Sequence, residues 1–350
     1  MALLYFAFVI LLFIPLPRYI RAGQEPESQY LSKAATLPIK GLSVVLVFFR
    51  HFAQYITLSD SAADKLFVFM DRTSGQLIVT MFLFYSGFGI YESVKKRGSS
   101  YISGFLKNRF LPTWIQFAVC LCFFLIYDLI TGQQLEPVTV LLSFTGWTDI
   151  GNSNWFMFVT FVLYLLIFIS FIRFTGKDRQ KKLPPLLIFT FFTLAAAFVL
   201  HLTKPSVWYD TILCFPAGMW FSFYRERIDN LLKKRYGVVL AAVTAAFIIA
   251  FVMTSKISQV FYCLYSVCFA LLVVVITARI RFRSPVLCFF GSHIFSIYIL
   301  QRIPMSAFKN VFGSNYVYFF ASFAVTVIAA VAFDFVFKHI RGRISKRNAA

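Results

Sequence analysis

The sequence predicts an all-α protein, a polytopic transmembrane helical bundle of about eleven spanning helices, with its N-terminus outside and its C-terminus inside. Three observations carry that expectation. The chain has 350 residues, 59% of them hydrophobic and only 14% charged, far more apolar than a water-soluble chain of this length. Continuously apolar runs close to the ~20 residues of a spanning helix recur from end to end, without the in-and-out alternation of an outer-membrane strand. The basic residues alternate between connections: 27 of the 34 Lys and Arg residues fall on one set of loops, six on the other, and Arg50 lies inside a segment.

The apolar segments run over residues 2–17, 39–58, 74–93, 111–130, 155–173, 185–202, 208–224, 237–255, 259–278, 285–301 and 316–337. No positive residue precedes the first run, MALLYFAF, whereas Arg18 and Arg21 follow it, the charge order of an uncleaved anchor and not of a secretory leader. Basic clusters such as Lys95 to Arg97 with Lys107 and Arg109, Arg225 to Arg235, and Arg279 to Arg283 occupy every second connection, which makes that side cytoplasmic. On the other side, connections 60–72 and 131–154 are partly apolar; each either lies on the membrane surface or dips back into it. The expected organisation is an N-terminal anchor helix and loop (1–37), one membrane domain of about ten helices (38–340) and a basic tail (341–350). A formal charge of +20 in this pattern orients helices and does not point to nucleic acid. The six cysteines all fall in apolar segments without metal-ligand spacing and read as small packing residues, so no metal is expected.

Ionisable groups inside a bilayer cost roughly 2.5–3.5 kcal/mol at a helix centre, so each is a functional candidate. His51 lies within IKGLSVVLVFFRHFAQYITL, directly after Arg50, and Lys40 begins the same segment. At about 100° per residue the step from Lys40 to His51 comes close to three full turns, so the two side chains share a helix face about 16 Å apart. That distance resembles the reach of an extended pantetheine arm. Phosphates could be held at Lys40 while a thioester approached His51, where an imidazole can take a hydroxyl proton near neutral pH. The pair is also open to a plainer reading, a histidine bonded to a neighbouring helix and a lysine snorkelling to the interface.

Several stretches bear on that choice. IKGLSVVLVFFRHF resembles the first motif of the acyltransferase-3 family of membrane acyltransferases, a basic residue followed by His, with Lys40 in place of the usual Arg. MFLFYSGFGIYES is similar to the family's aromatic-x-x-Ser-Gly-Phe helix, matched by Phe84, Tyr85, Ser86, Gly87 and Phe88. ISGFLKNRFLPTW resembles its basic loop, with Arg109 at the first position of Arg-x-x-Arg and Pro112 at the second. SNWFMFVTFVLYLL is similar to its Trp-Phe helix start at Trp155 and Phe156. FFGSHIFSIYILQ resembles the late Gly-x-x-Ser-x-x-x-Tyr-Leu-x-His stretch at Gly291 and Tyr298, with Ile294 replacing its Ser and Gln301 its His.

That resemblance implies transfer of an acyl group, often acetyl from acetyl-CoA, to a hydroxyl of a cell-envelope glycan or lipid-linked sugar in a bacterial cytoplasmic membrane. Acyl-CoA is then a co-substrate, no cofactor is permanently bound, and the other partner is membrane lipid. His51 would be the general base, with Lys40, Arg109 and Lys107 drawing in the anionic donor. Tyr85, Ser86, Trp155 and Tyr298 would line the substrate path, although each also suits close packing. Among the carboxylates Asp128, Asp210, Glu92 and Asp334, one orienting His51 would be useful, but Glu92 and Asp334 fall too near the cytoplasmic side. His293 fits no position of the pattern and reads as a packing or interface residue. The alternative is a transporter or flippase of a lipid-linked or polar solute, which would be expected to show repeated halves and broken helices.

Overall fold

A computed structural model describes residues 1–21, 29–58, 60–173 and 183–347, with side chains as far as residue 340. Lys177, Arg179, Lys181 and Lys182 and the side chains of the 341–350 tail therefore lie outside the described residues. The protein is a helical bundle. Its elements in order are α1 (Ala2–Ile10), β1 (Arg18–Tyr19), α2 (Lys33–Phe52), α3 (Ala62–Ser74), α4 (Leu77–Arg97), α5 (Ser99–Ser103), α6 (Leu111–Thr131), α7 (Pro137–Ser143) and α8 (Trp155–Phe171). There follow α9 (Leu183–Thr203), α10 (Cys214–Phe223), α11 (Arg225–Lys256), α12 (Tyr262–Thr277), β2 (Ile280–Arg281), α13 (Pro285–Ser292), α14 (Ile294–Leu300), α15 (Arg302–Ala307) and α16 (Asn315–Arg347).

Local chemistry sets the ends of these helices. Ser32 caps α2 through the amide of Ala35, Ser61 caps α3 through that of Asp64, and Ser284 caps α13, where Pro285 fills the first position, which needs no amide donor. Two close backbone approaches then organise the bundle. A Cβ on Gly41 would lie 1.8 Å from the carbonyl oxygen of Leu287, and one on Gly291 would lie 2.2 Å from that of Leu37. Likewise a Cβ on Gly87 or Gly218 would lie 2.1 Å from the carbonyl of Phe215 or Phe84. Small residues thus let α2 meet α13 and α4 meet α10 at backbone distance, as membrane helices do where no water drives association. Further along α2, near its C-terminal end, Phe48, Phe49 and Phe52 gather around Phe319 with ring centres 5.4, 4.6 and 5.2 Å away. α2 is consequently clamped by α13 and α16.

Among the described residues seven helices are long and apolar enough to cross a membrane, and the pair α13 with α14–α15, bent by 68°, would make an eighth. Each of the eleven apolar runs forms helix, but Ala2–Phe13, Trp155–Phe171 and α10 are short. Hydropathy reads apolarity and not helix length, so it does not separate these from the longer helices. The connection expected over 60–72 is a helix, α3. It packs on α2 through the Arg50–Asp71 ion pair at 3.1 Å, which accounts for the charge inside that segment. The 131–154 connection doubles back: the carbonyl of Phe144 accepts a hydrogen bond from the indole of Trp114, on the first turn of α6, at 3.0 Å.

Basic-side connections meet one another. β1 pairs antiparallel with β2, Tyr30 donates to Asp229 at 2.7 Å, and Arg225 lies 3.4 Å from Glu92. Burial and the neighbouring Asp229 carboxylate hold the Tyr30 hydroxyl above its ordinary pKa, so it stays a donor. At the other end, Arg302 bonds Gln54 at 2.7 Å and Lys204 sits over Trp147 and Trp208.

Candidate active site

Two cavities open along α4 and share Lys40, Tyr85 and Gly89 in their walls. The outer one, about 510 Å³, lies at the basic end and is lined among others by Lys33, Lys96, Arg225 and Glu92. The inner one, about 380 Å³, runs on between α4, α6, α8 and α14, past Ser86, Arg109, Gln116, Tyr164 and Tyr298. Along α4 the walls extend from Lys96 to Val79, about 25 Å at ~1.5 Å per residue.

The polar groups of the inner cavity come from helical register. Lys40, Val44, Val47 and His51 form one stripe of α2, and the two valines between are wholly buried at 0% and 2% exposure. The Lys40 ammonium lies 5.5 Å from the centre of the Tyr85 ring, and Arg109 sits 5.9 Å from that of Tyr164. Lys33 and Arg109 are near enough to act on the charge of Lys40. No carboxylate lines the inner cavity among the described residues. Cations gathered without an anion in a partly desolvated space repel one another, so the site is built to favour an anionic guest.

Of the residues expected from sequence, Lys40, Arg109, Tyr85, Ser86 and Tyr298 come together in this cavity. Lys107 is exposed on the turn before α6, and Trp155 contributes only through its neighbour Phe156, whose ring it touches edge-on at 5.7 Å. His51 is buried, at 7% exposure, and lies behind the wall, its ring centre 6.1 Å from that of Tyr298. Its Nδ1 has no hydrogen-bond partner among the described residues, so none of the weighed carboxylates orients it through that atom. Glu92 is bound by Lys95, Ser222 and Arg225 at the outer cavity. Asp334 accepts from both His293 and Ser296, and each of the buried Asp128 and Asp210 has one oxygen without a partner among the described residues. His293, which the sequence reads as a packing or interface residue, bonds Asp334 at the break between α13 and α14.

Thr113, Gln116, Thr160 and Tyr164 also line the cavity, and sequence reasoning missed them. Arg109 on the turn leading into α6 and Thr113 and Gln116 on α6 fall at i, i+4 and i+7, and Thr160 and Tyr164 at i and i+4 on α8. A polar stripe of this kind on an otherwise apolar helix was a usable signal.

A model of the acyltransferase domain family matches residues 39–335. The chain belongs to the acyltransferase-3 family. As a member of that family it is a multi-pass membrane acyltransferase. No curated protein and no solved structure matches the chain. The acyltransferase-3 match covers all the helices that build the inner cavity, from Lys40 on α2 to Tyr298 on α14.

Proposed function

We propose that the protein moves an acyl group, acetyl in the first instance, from acyl-CoA to a hydroxyl of a cell-envelope glycan or lipid-linked sugar. In this account the basic end faces the cytoplasm of a bacterial cell, and the outer cavity is where the donor arrives. The observation that carries it is the uncompensated pair Lys40 and Arg109 inside a passage that continues from the outer cavity. Phosphates of the donor would rest near Lys33, Lys96 and Lys40, and the pantetheine arm would run along α4 past Gly89 and Tyr85. The thioester would then come to rest near Tyr298 and His51.

His51 acts as general base in this scheme. The acceptor hydroxyl oxygen attacks the thioester carbonyl carbon while its proton passes to the imidazole. The carbon–sulfur bond breaks, the new ester forms, and the departing thiolate recovers the proton to leave as CoA. A transporter or flippase remains the second reading because the bend at His293 is a broken helix, a feature of many transporters. Labelled acetyl-CoA supplied to membranes separates the two. Label should appear in an envelope acceptor with the wild type and fall at least a hundredfold with His51→Ala at equal expression. Equal transfer by both would remove His51 from the chemistry, and solute movement independent of donor would favour transport.

A further inference from the structure

We propose that Tyr298 is a gate between the donor cavity and His51, latched by the carbonyl of Ser153 and released when a hydroxyl-bearing acceptor occupies the loop around Asn152. The role given to His51 rests on the transferase reading above; the gate itself rests on geometry. Tyr298 faces the inner cavity on one side and His51 on the other, with ring centres 6.1 Å apart. Its hydroxyl donates to the Ser153 carbonyl at 2.7 Å, and Phe156 meets its ring edge-on at 5.6 Å.

The latch sits on a loop under strain. Ser153 has φ 51°, left-handed backbone that a residue with a side chain adopts reluctantly. This loop is buried where it meets Tyr298: Ile150, Asn152 and Asn154 are 4%, 1% and 2% exposed. Two buried polar atoms near the latch have no partner among the described residues, Nδ1 of His51 and the side-chain amide nitrogen of Asn152. Such atoms are costly to bury. A hydroxyl donates one hydrogen and accepts at once, so an acceptor alcohol arriving here could donate to His51 and accept from Asn152, and a second hydroxyl of the same acceptor, donating to the Ser153 carbonyl, would free the tyrosine. Helix α14 is fixed at its start, because His293 and Ser296 both bond Asp334 of α16. The motion is therefore a rotation of the Tyr298 side chain and not a shift of the helix.

The gate chooses an alcohol over water. With Tyr298 shut, water in the cavity does not reach the base. If it did, its oxygen would attack the acyl carbon, its proton would pass through His51 to the departing thiolate, and the products would be a carboxylic acid and CoA. Closing the wall until the acceptor is seated suppresses that loss.

Modification of the full-length protein in detergent by diethylpyrocarbonate, mapped by mass spectrometry, tests the gate without any acceptor. Exposed His201 and His339 are internal references. In the wild type His51 should react at least tenfold more slowly than His201. Tyr298→Ala should speed His51 at least fivefold while His201 and His339 stay unchanged, and Tyr298→Phe, which keeps the ring and loses the tether, should give a smaller rise. Acceptor-free hydrolysis of acetyl-CoA should rise severalfold in Tyr298→Phe. A general rise at all histidines in Tyr298→Ala would mean that variant is misfolded, and Tyr298→Phe then decides. Unchanged His51 reactivity in Tyr298→Phe, or wild-type His51 as reactive as His201, overturns the gate. If the labelling follows the expected order but no acyl-CoA is ever consumed, the gate stands and the transferase reading falls.

Discussion

Gly89 separates passage from fold. It is the one exposed position between Leu77 and Lys95 on a helix that is otherwise buried or half-buried, it lines both cavities, and a Cβ there would meet nothing within 4 Å. Replacing it with leucine removes a glycine from a helix interior, worth about 0.8–1 kcal/mol by propensity, and disturbs no neighbour. Gly89→Leu should therefore be at least as stable as wild type, by thermal unfolding in detergent. The new side chain projects into the junction that the pantetheine arm has to pass, so the donor can no longer bring its thioester to the inner cavity. Acyl transfer should fall about ten- to hundredfold, a loss of roughly 1.4–2.7 kcal/mol of transition-state stabilisation. Alanine at this position should act mildly and tryptophan more severely. Gly87→Ala is the contrast two residues away, since its methyl would lie 2.1 Å from the Phe215 carbonyl, and it should lower stability outright. Wild-type transfer rates in well-folded Gly89→Trp would refute the idea that the two cavities form one donor passage.

Lys40→Met should raise the KM for acyl-CoA about five- to thirtyfold. A cation and a phosphate at ~4 Å interact by about 4 kcal/mol at an effective dielectric of 20, and the open cavity screens that to roughly 1–2 kcal/mol. Lys40→Arg, which keeps the cation, should stay within about threefold of wild type, and a loss as large as that of methionine would assign Lys40 a role other than charge. Asp334→Ala strands the side chains of His293 and Ser296 and should cost about 1–3 kcal/mol of stability, seen as a lowered melting temperature. An unchanged melting temperature would mean that Asp334 does not fix the bend.

The bundle was legible because bilayer and loop demand opposite residue types, so apolar runs and basic alternation write the helices directly into the chain. Span lengths were less so. α10 is read as a full span from residues 208–224, yet its regular helix covers only Cys214–Phe223, because apolar residues continue into the turns before it. Helix α3 carried a sign that was passed over, Ser61 followed by Asp64, a capping pattern. The Lys40 and His51 stripe followed from helical period alone. What no one-dimensional pattern could supply is the partner across helices: Asp71 for Arg50, Asp334 for His293, and above all the ring of Tyr298 set between His51 and the cavity. Ser153 left the same gap, since its left-handed backbone comes from a doubled-back loop whose course is fixed by contacts with α6 and α14.

The central claim is that the two joined cavities hold a CoA thioester, and photocrosslinking tests it most directly. A photoreactive acyl-CoA analogue, irradiated with the purified full-length protein and mapped by mass spectrometry, should label peptides of α4 and α6 around Gly89 and Arg109. Free CoA should compete, and Lys40→Met with Arg109→Met should reduce the label at least tenfold. Labelling confined to lipid-facing helix surfaces, or labelling that neither CoA nor the double substitution diminishes, would contradict the account.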